Sequence, residues 1–203
     1  IAGIKPAKGV AKELGTKQGN SVHSALFEYY TSEFYKQNNT FDLAVFKEML
    51  AKQNLTPLEF EIWTHKFKEY EIYENERLRA GFRVLECEKE MQSEFCGVQI
   101  KGFIDRIDAD ASGDVLILDY KTGEANVNSL QLAFYEALYG GKVRSTYYAL
   151  KNEPSLVSSK KSVEDLNGEI EKLKGINKTK INFERKSGAC TFCEYATLCR
   201  REL

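Results

Sequence analysis

The 203-residue sequence contains no apolar run of transmembrane length and no recognisable targeting segment, so we expect a cytoplasmic protein without membrane contacts. It has no G-x-x-x-x-G-K-[ST] loop, which excludes a P-loop motor in this chain. It also lacks internal repeats and any excess of positive charge, since the formal net charge is -1 at pH 7. A protein that holds nucleic acid by bulk electrostatics is therefore disfavoured. With 42% hydrophobic residues, the chain can form one domain spanning residues 1–203.

Two predicted strands carry the most informative side chains. Residues 102–108 and 115–121 are rich in β-branched and aromatic residues, and the segment between them has turn composition, so they predict an antiparallel hairpin. If the turn is centred on Ser112, Asp105 lies opposite Asp119 with Cβ atoms about 5 Å apart. Lys121 lies two residues beyond Asp119 and therefore shares its face of the sheet.

Opposed carboxylates destabilise a sheet unless a cation lies between them. A divalent cation would supply a Lewis acid and an activated water for attack on phosphorus, so the hairpin predicts a metal-dependent phosphodiesterase site. The alternative is a solvated hairpin in which Lys121 neutralises two surface acids. A one-residue slip would separate the acids, but it would also displace the apolar side chains that we expect in the core. These are Phe103, Ile104, Ile107, Leu116 and Leu118.

The order of motifs resembles the PD-(D/E)XK nuclease superfamily, and within it the RecB-like branch. Asp105 followed by Asp119-Tyr120-Lys121 is similar to the motif that names the superfamily, with Ile104 in place of the proline. Gly19 to His23 is similar to the G-x-x-x-H motif of that branch, and Gln131 to Tyr135 is similar to its Q-x-x-x-Y motif.

The resemblance implies a role for each of these residues. The catalytic residues would be Asp105, Asp119, Lys121 and Glu88. The ligands of Mg²⁺ or Mn²⁺ would be His23, Asp105, Asp119 and the Tyr120 carbonyl. The nucleic-acid side of the site would be lined by Gln131 and Tyr135. The position of the first acid is uncertain by two residues, so Glu86 and Glu90 are alternatives to Glu88. Without the resemblance, His23 is more typical of a packed core histidine, and Gln131 with Tyr135 of a half-buried helical pair.

Three cysteines near the C-terminus, Cys190, Cys193 and Cys199, have the spacing C-x2-C-x5-C. In a chain without disulfide-rich composition this spacing indicates a metal or cluster site, and both zinc and iron-sulfur clusters need four ligands. It resembles the cysteine triplet of AddB nuclease domains and CRISPR-associated exonucleases, which implies a 4Fe-4S cluster. Cys87 and Cys96 fall in predicted strands and do not supply the fourth ligand. Since the sequence begins with Ile1, we expect an excised domain that has lost that ligand and holds an incomplete cluster.

The predicted elements give an α/β fold with a restriction-endonuclease-like core, a central mixed sheet flanked by helices. Strands are expected near residues 82–91, 98–109, 115–121 and 143–150. Helices are expected near residues 19–36, 41–53, 57–80, 129–139 and 162–173. The strand, helix, strand order after residue 115 predicts one parallel pair. Residues 37–81 would form a helical N-terminal insertion, and residues 187–203 a cysteine-bearing tail.

The resemblance is closest to the C-terminal nuclease domain of AddB-type subunits of bacterial helicase-nucleases. It implies a DNA exonuclease that works beside a helicase-nuclease partner subunit in double-strand-break repair and recombination. Residues 37–141 hold 11 basic and 19 acidic side chains, whereas residues 142–203 hold 13 basic and 8 acidic, which fits an acidic metal site beside a DNA-binding segment. The alternatives are a free-standing CRISPR-associated exonuclease and a noncatalytic DNA-binding or iron-sulfur structural module.

Overall fold

A computed structural model describes residues 7–175, with side chains from Lys17 onward. Five strands form one mixed sheet in the order β1-β2-β3-β4-β5, and only the β3-β4 pair is parallel, as the sequence predicted. The strands are β1 (Arg83–Phe95), β2 (Val98–Ala109), β3 (Val115–Lys121), β4 (Val143–Ala149) and β5 (Ser155–Val157). The sheet and its flanking helices confirm the predicted α/β class. The short β5 was not predicted.

Residues 7–175 contain six helices. They are α1 (Ala7–Thr31), α2 (Glu33–Asn38), α3 (Leu43–Ala51), α4 (Pro57–Arg79), α5 (Gln131–Tyr139) and α6 (Val163–Lys174). The chain divides into two compact units after Asn167, and the sheet with α1 to α5 lies in the first. In the described part of the chain, no helix combines the length and apolar character needed to cross a bilayer.

Side-chain caps set several helix boundaries. The Thr56 hydroxyl accepts a hydrogen bond from the Glu59 amide, and the Glu59 carboxylate accepts one from the Thr56 amide. This capping box begins α4 where the sequence predicted it. The Asp42 carboxylate caps α3 by accepting hydrogen bonds from the Ala44 and Val45 amides. Ser32 caps α2, so the single helix expected over residues 19–36 is instead two helices.

Alternating side chains of β3 enter two apolar clusters on opposite faces of the sheet. Leu118 and Tyr120 pack in the larger cluster with residues of α1, α3 and α4, whereas Ile117 packs in the smaller cluster with residues of α5. Residues 37–81 are helical over α3 and α4, and they supply part of the larger cluster. Their status as an insertion stays a prediction.

A buried ionic network joins α4 to β2. Arg106 is fully buried and contacts Glu74 at 2.5 Å and Asp108 at 2.6 Å. Arg77 lies 3.0 Å from each of the same two carboxylates. Burial alone would raise the pKa of Glu74, but Arg106 and Arg77 hold it below its ordinary value. The alternating pattern of β2 gave no sign of this network.

Two apolar residues of α4 and one residue expected in the core are exposed. Leu58 and Ile62 are 70% and 45% exposed, because the buried stripe of α4 runs through Trp63, Phe67 and Tyr70, roughly 100° or more around the helix. Phe103 is 54% exposed. Its neighbours on either side in β2 face α5, so Phe103 points to the other side of the sheet.

The cysteine predictions concern two regions. The predicted tail over residues 187–203 lies outside the described residues, and with it the cysteines Cys190, Cys193 and Cys199. Cys87 lies in β1 as expected. Cys96 lies in the two-residue turn between β1 and β2 rather than in a strand, since both Cys96 and Gly97 have positive φ angles, which suit a tight hairpin turn.

We predict that Arg106→Met lowers the free energy of unfolding by roughly 3–5 kcal/mol, because it leaves the Glu74 and Asp108 carboxylates buried with less compensation. Urea unfolding measures the change. The control is Arg144→Met, which breaks an exposed pair with Asp110 and should cost less than about 1 kcal/mol. Equal losses in the two variants would contradict a structural role for the network.

Candidate active site

The β2-β3 hairpin brings Asp105 and Asp119 to the same place in the sheet. Pairs from Arg106 with Leu118 to Ala109 with Val115 follow the register expected for a turn centred on Ser112. Beyond Arg106 the ladder ends, and the Asp105 carboxylate takes its place by accepting the Tyr120 amide at 2.9 Å. Asp105 is therefore fixed by the backbone of the strand that carries Asp119.

Asp119 is almost completely buried and is surrounded by donors. Its Oδ1 accepts hydrogen bonds from Gln131 Nε2 at 2.8 Å and from the Tyr135 hydroxyl at 3.1 Å. Lys121 Nζ lies 2.5 Å from Oδ2 and donates to Gln131 Oε1 at 2.9 Å. The Oδ2 atom accepts no well-aligned hydrogen bond among the described residues, so its position suits a further cation.

Gln131 and Tyr135 thus orient Asp119 from the first two turns of α5. Sequence reasoning placed them on the nucleic-acid side of the site, by resemblance. Their four-residue spacing brings both to one helix face, where Gln131 also donates to the Tyr135 hydroxyl at 2.9 Å. These contacts need α5 to lie close to β2. Gly102 of β2 allows this, because a Cβ there would lie only 3.0 Å from the Phe134 ring of α5.

His23 reaches the site from α1. Its Nδ1 lies 3.4 Å from Asp105 Oδ2, and its Nε2 lies 3.1 Å from the Tyr120 carbonyl oxygen. Gly19, one turn earlier, permits this position, because a Cβ there would lie 3.0 Å from the Thr122 hydroxyl at the end of β3. The structure therefore brings together His23, Asp105 and the Tyr120 carbonyl, whose role as metal ligands stays a prediction.

Glu88 is the acid of β1 that faces this group. Cys87 pairs with Arg106 and Lys89 with Ile104, so Glu88 lies across from Asp105, and it has a positive φ of 48° that interrupts the ladder. The alternatives do not join the group: Glu86 pairs with Lys89 at 2.9 Å, and Glu90 pairs with Lys101. An unusual backbone at a cleft often has a functional reason.

Ligand atoms of His23, Glu88 and Asp105 lie within 4.8 Å of one another, a spacing that a single metal ion can bridge. They open into a cleft of about 570 Å³ that Asn20, Ser24, Phe27 and Glu28 also line. Two carboxylates and an imidazole suit Mn²⁺ or Mg²⁺. Sequence reasoning did not identify Asn20 or Phe27, although their spacing of three and four residues from His23 was a usable signal.

Electrostatics in the cleft favour uncharged groups until a cation is present. Burial and the nearby Asp119 raise the pKa of Asp105 to about 7. Burial and Asp105 likewise raise the pKa of Glu88. Burial lowers the pKa of His23, which leaves a neutral imidazole capable of binding metal. Ionising the carboxyl groups of the site therefore costs free energy, and a divalent cation would remove that cost.

Comparison with known proteins identifies the family. A model of the PD-(D/E)XK nuclease superfamily matches residues 1–200. The chain belongs to this superfamily. Its members are nucleases, generally dependent on divalent metals, and His23, Glu88 and Asp105 are spaced so that they could hold such an ion. No curated protein matches the chain significantly.

Three solved structures show weak similarity to the chain. A repair endonuclease from Pyrococcus abyssi has 19% identity and a TM-score of 0.28, and the match covers 58% of this chain and 45% of that one. The protein SSO0001 has 16% identity and a TM-score of 0.37, covering 90% and 84%. Protein VC1899 from Vibrio cholerae has 10% identity and a TM-score of 0.29, covering 81% and 47%. TM-scores this low support no inference.

We predict that Asp105→Asn stabilises the metal-free protein at neutral pH. Because the folded state raises the Asp105 pKa above its ordinary value, wild-type stability should fall as pH rises from about 4 to about 7. The advantage of the variant should grow over that window and level off above it, reaching roughly 4 kcal/mol. Urea unfolding in EDTA at pH 5 and pH 8 measures it, with the exposed Asp114→Asn as control. An advantage independent of pH would refute the electrostatic account.

Proposed function

We propose that this protein is a divalent-metal-dependent deoxyribonuclease, the exonuclease module of an AddB-like subunit in a bacterial helicase-nuclease. One observation carries the proposal: His23, Glu88 and Asp105 converge in an open cleft beside the buried pair of Asp119 and Lys121. DNA would be its substrate, and a helicase-nuclease subunit its partner during double-strand-break repair in the bacterial cytoplasm. The RecB-like motif order around residues 19–23 and 131–135 supports the branch.

The metal would be held by the carboxylates of Asp105, Glu88 and Asp119, with His23 Nδ1 as the nitrogen ligand. Bound there, Mg²⁺ or Mn²⁺ would supply a Lewis acid and lower the pKa of a bound water. The Tyr120 carbonyl faces His23 Nε2 and so would fix the ring orientation. Because it lies across the ring from Nδ1, it would orient His23 rather than bind the same ion, as the resemblance had implied.

Lys121 would orient the attacking water and stabilise negative charge on the phosphate. Its ammonium group lies between Asp119 and Gln131, so it is positioned before substrate arrives. Gln131 and Tyr135 would hold the Asp119 carboxylate in one orientation while the phosphate approaches through the cleft. The 4Fe-4S cluster proposed for Cys190, Cys193 and Cys199 would have a structural role only.

The direct test is cleavage of end-labelled single-stranded and duplex DNA with Mn²⁺, Mg²⁺ or EDTA. We expect cleavage with either metal and none in EDTA. Asp119→Ala and Lys121→Ala should each reduce the rate by about 100-fold or more, since each removes a group that acts on the reacting phosphate. Asp114→Ala, an exposed acid of the same hairpin, should retain activity. Full activity of either site variant would reject the assignment, and an inactive wild-type protein would favour a noncatalytic module.

A second prediction separates the ligand and core roles of His23. As a ligand, His23→Ala should lose most activity at limiting Mn²⁺ and regain part of it with excess metal. Its melting temperature should also no longer rise when Mn²⁺ is added. If His23 only packs, stability should fall by roughly 1–3 kcal/mol while cleavage per folded molecule is kept. Thermal melting with and without Mn²⁺, beside a metal titration of activity, decides between the two.

A further inference from the structure

A second cleft adjoins the candidate metal site along the same two elements. It has a volume of about 400 Å³, and its lining continues that of the first cleft. On the helical side, Phe27 lines the first cleft and Thr31, one turn later, lines the second. On the sheet side, Glu88 lines the first and Cys87 the second. We name the two neighbouring clefts, which lie between α1-α2 and β1, the α1-β1 groove.

The two ends of the α1-β1 groove differ in charge. The metal end contains the carboxylates of Glu28, Glu88 and Asp105. The far end contains Arg83, Lys36 and Glu86, and the charge of Glu86 is balanced by Lys89 at 2.9 Å. Among the described residues Arg83 contacts no acid. Lys36 pairs only with Glu33, and that pair is exposed on both sides, so a phosphate can replace it at little cost.

Phe27 lies between the two ends and is 40% exposed. Isolated exposed aromatics are ordinary on protein surfaces. Phe27 differs because it lies in the cleft, one helical turn from His23, where the strand to be cut must pass. An exposed ring beside a phosphate path is the arrangement that stacks nucleic-acid bases without reading their sequence.

We propose that the α1-β1 groove is a second substrate-binding site, which holds the DNA strand away from its scissile phosphate. Phe27 stacks on a base next to the cleaved bond, and Arg83 with Lys36 binds a backbone phosphate farther along the same strand. The proposal rests on the proposed nuclease function, which places the scissile phosphate at the metal end of the groove. It adds a binding site that acts whether or not metal is present.

The basic end is tested by binding of a fluorescent oligothymidylate in EDTA across a range of NaCl concentrations. The double variant Lys36→Gln/Arg83→Gln should bind about tenfold more weakly, and its logarithmic salt slope should be smaller by about 0.7, the value for one lost single-strand phosphate contact. The charge-matched control is Lys68→Gln/Arg79→Gln, two exposed basic residues of α4 outside the groove. It should stay within twofold of wild type. Equal losses in both double variants would overturn the basic site.

The stacking role is tested by two substitutions at Phe27. Phe27→Leu keeps an apolar side chain and should weaken oligothymidylate binding by about tenfold, whereas Phe27→Trp keeps a ring and should bind like wild type. Neither should change binding of an abasic strand of equal length. A loss in Phe27→Leu that is the same for the abasic strand, or a loss in Phe27→Trp of the same size, would overturn stacking.

The two proposals fail separately. If wild-type protein does not cleave DNA with Mn²⁺ but the binding differences hold, the nuclease function is wrong and the groove stands as a nucleic-acid site. If cleavage depends on Asp119 and Lys121 but the groove variants bind and cleave like wild type, the groove proposal is wrong. In an active protein, Phe27→Leu should raise KM about tenfold with kcat nearly unchanged, because it removes binding away from the reacting phosphate.

Discussion

Burial of the Asp105 carboxylate beside that of Asp119 is the constraint on which the rest of the site depends. The hairpin register sets Asp105 in a poorly solvated place close to Asp119, and burial together with repulsion raises the pKa of Asp105 to about 7. Three neighbouring contacts reduce this cost: Lys121 and Gln131 contact Asp119, and the Tyr120 amide donates to Asp105. A divalent cation between the carboxylates would reduce it most.

The opposite side of β2 keeps these acids in place. Asp105 is followed directly by Arg106, whose side chain enters the buried network with Glu74 of α4. Two adjacent residues of one strand thus serve the site and the core on opposite faces. The contact between His23 and Asp105 adds α1 to the same assembly, with Gly19 allowing the close approach. Stability and site geometry are consequently coupled through a few residues of β2.

Local patterns were enough to predict the hairpin, its register and the α4 capping box, because period-two alternation, turn composition and cap residues act within a few positions. The parallel β3-β4 pair also followed from element order. The buried network could not be predicted, since it joins Glu74 to Arg106 across 32 residues and no local pattern marks such a partner. The sequence could not favour Glu88 over Glu86, because the choice depends on the positive φ of Glu88, which interrupts the ladder of β1. Exposure of Phe103 depends on which face α5 covers.

The central claim is that Asp105, Glu88 and His23 form a divalent metal site beside Asp119 and Lys121. Anomalous scattering from crystals grown with Mn²⁺ tests it directly, because manganese can be located independently of the protein atoms. The account predicts a peak within about 2.5 Å of an Asp105 carboxylate oxygen, with Glu88 or His23 as a further ligand. A peak elsewhere on the protein, or none at a Mn²⁺ concentration that supports cleavage, would contradict it.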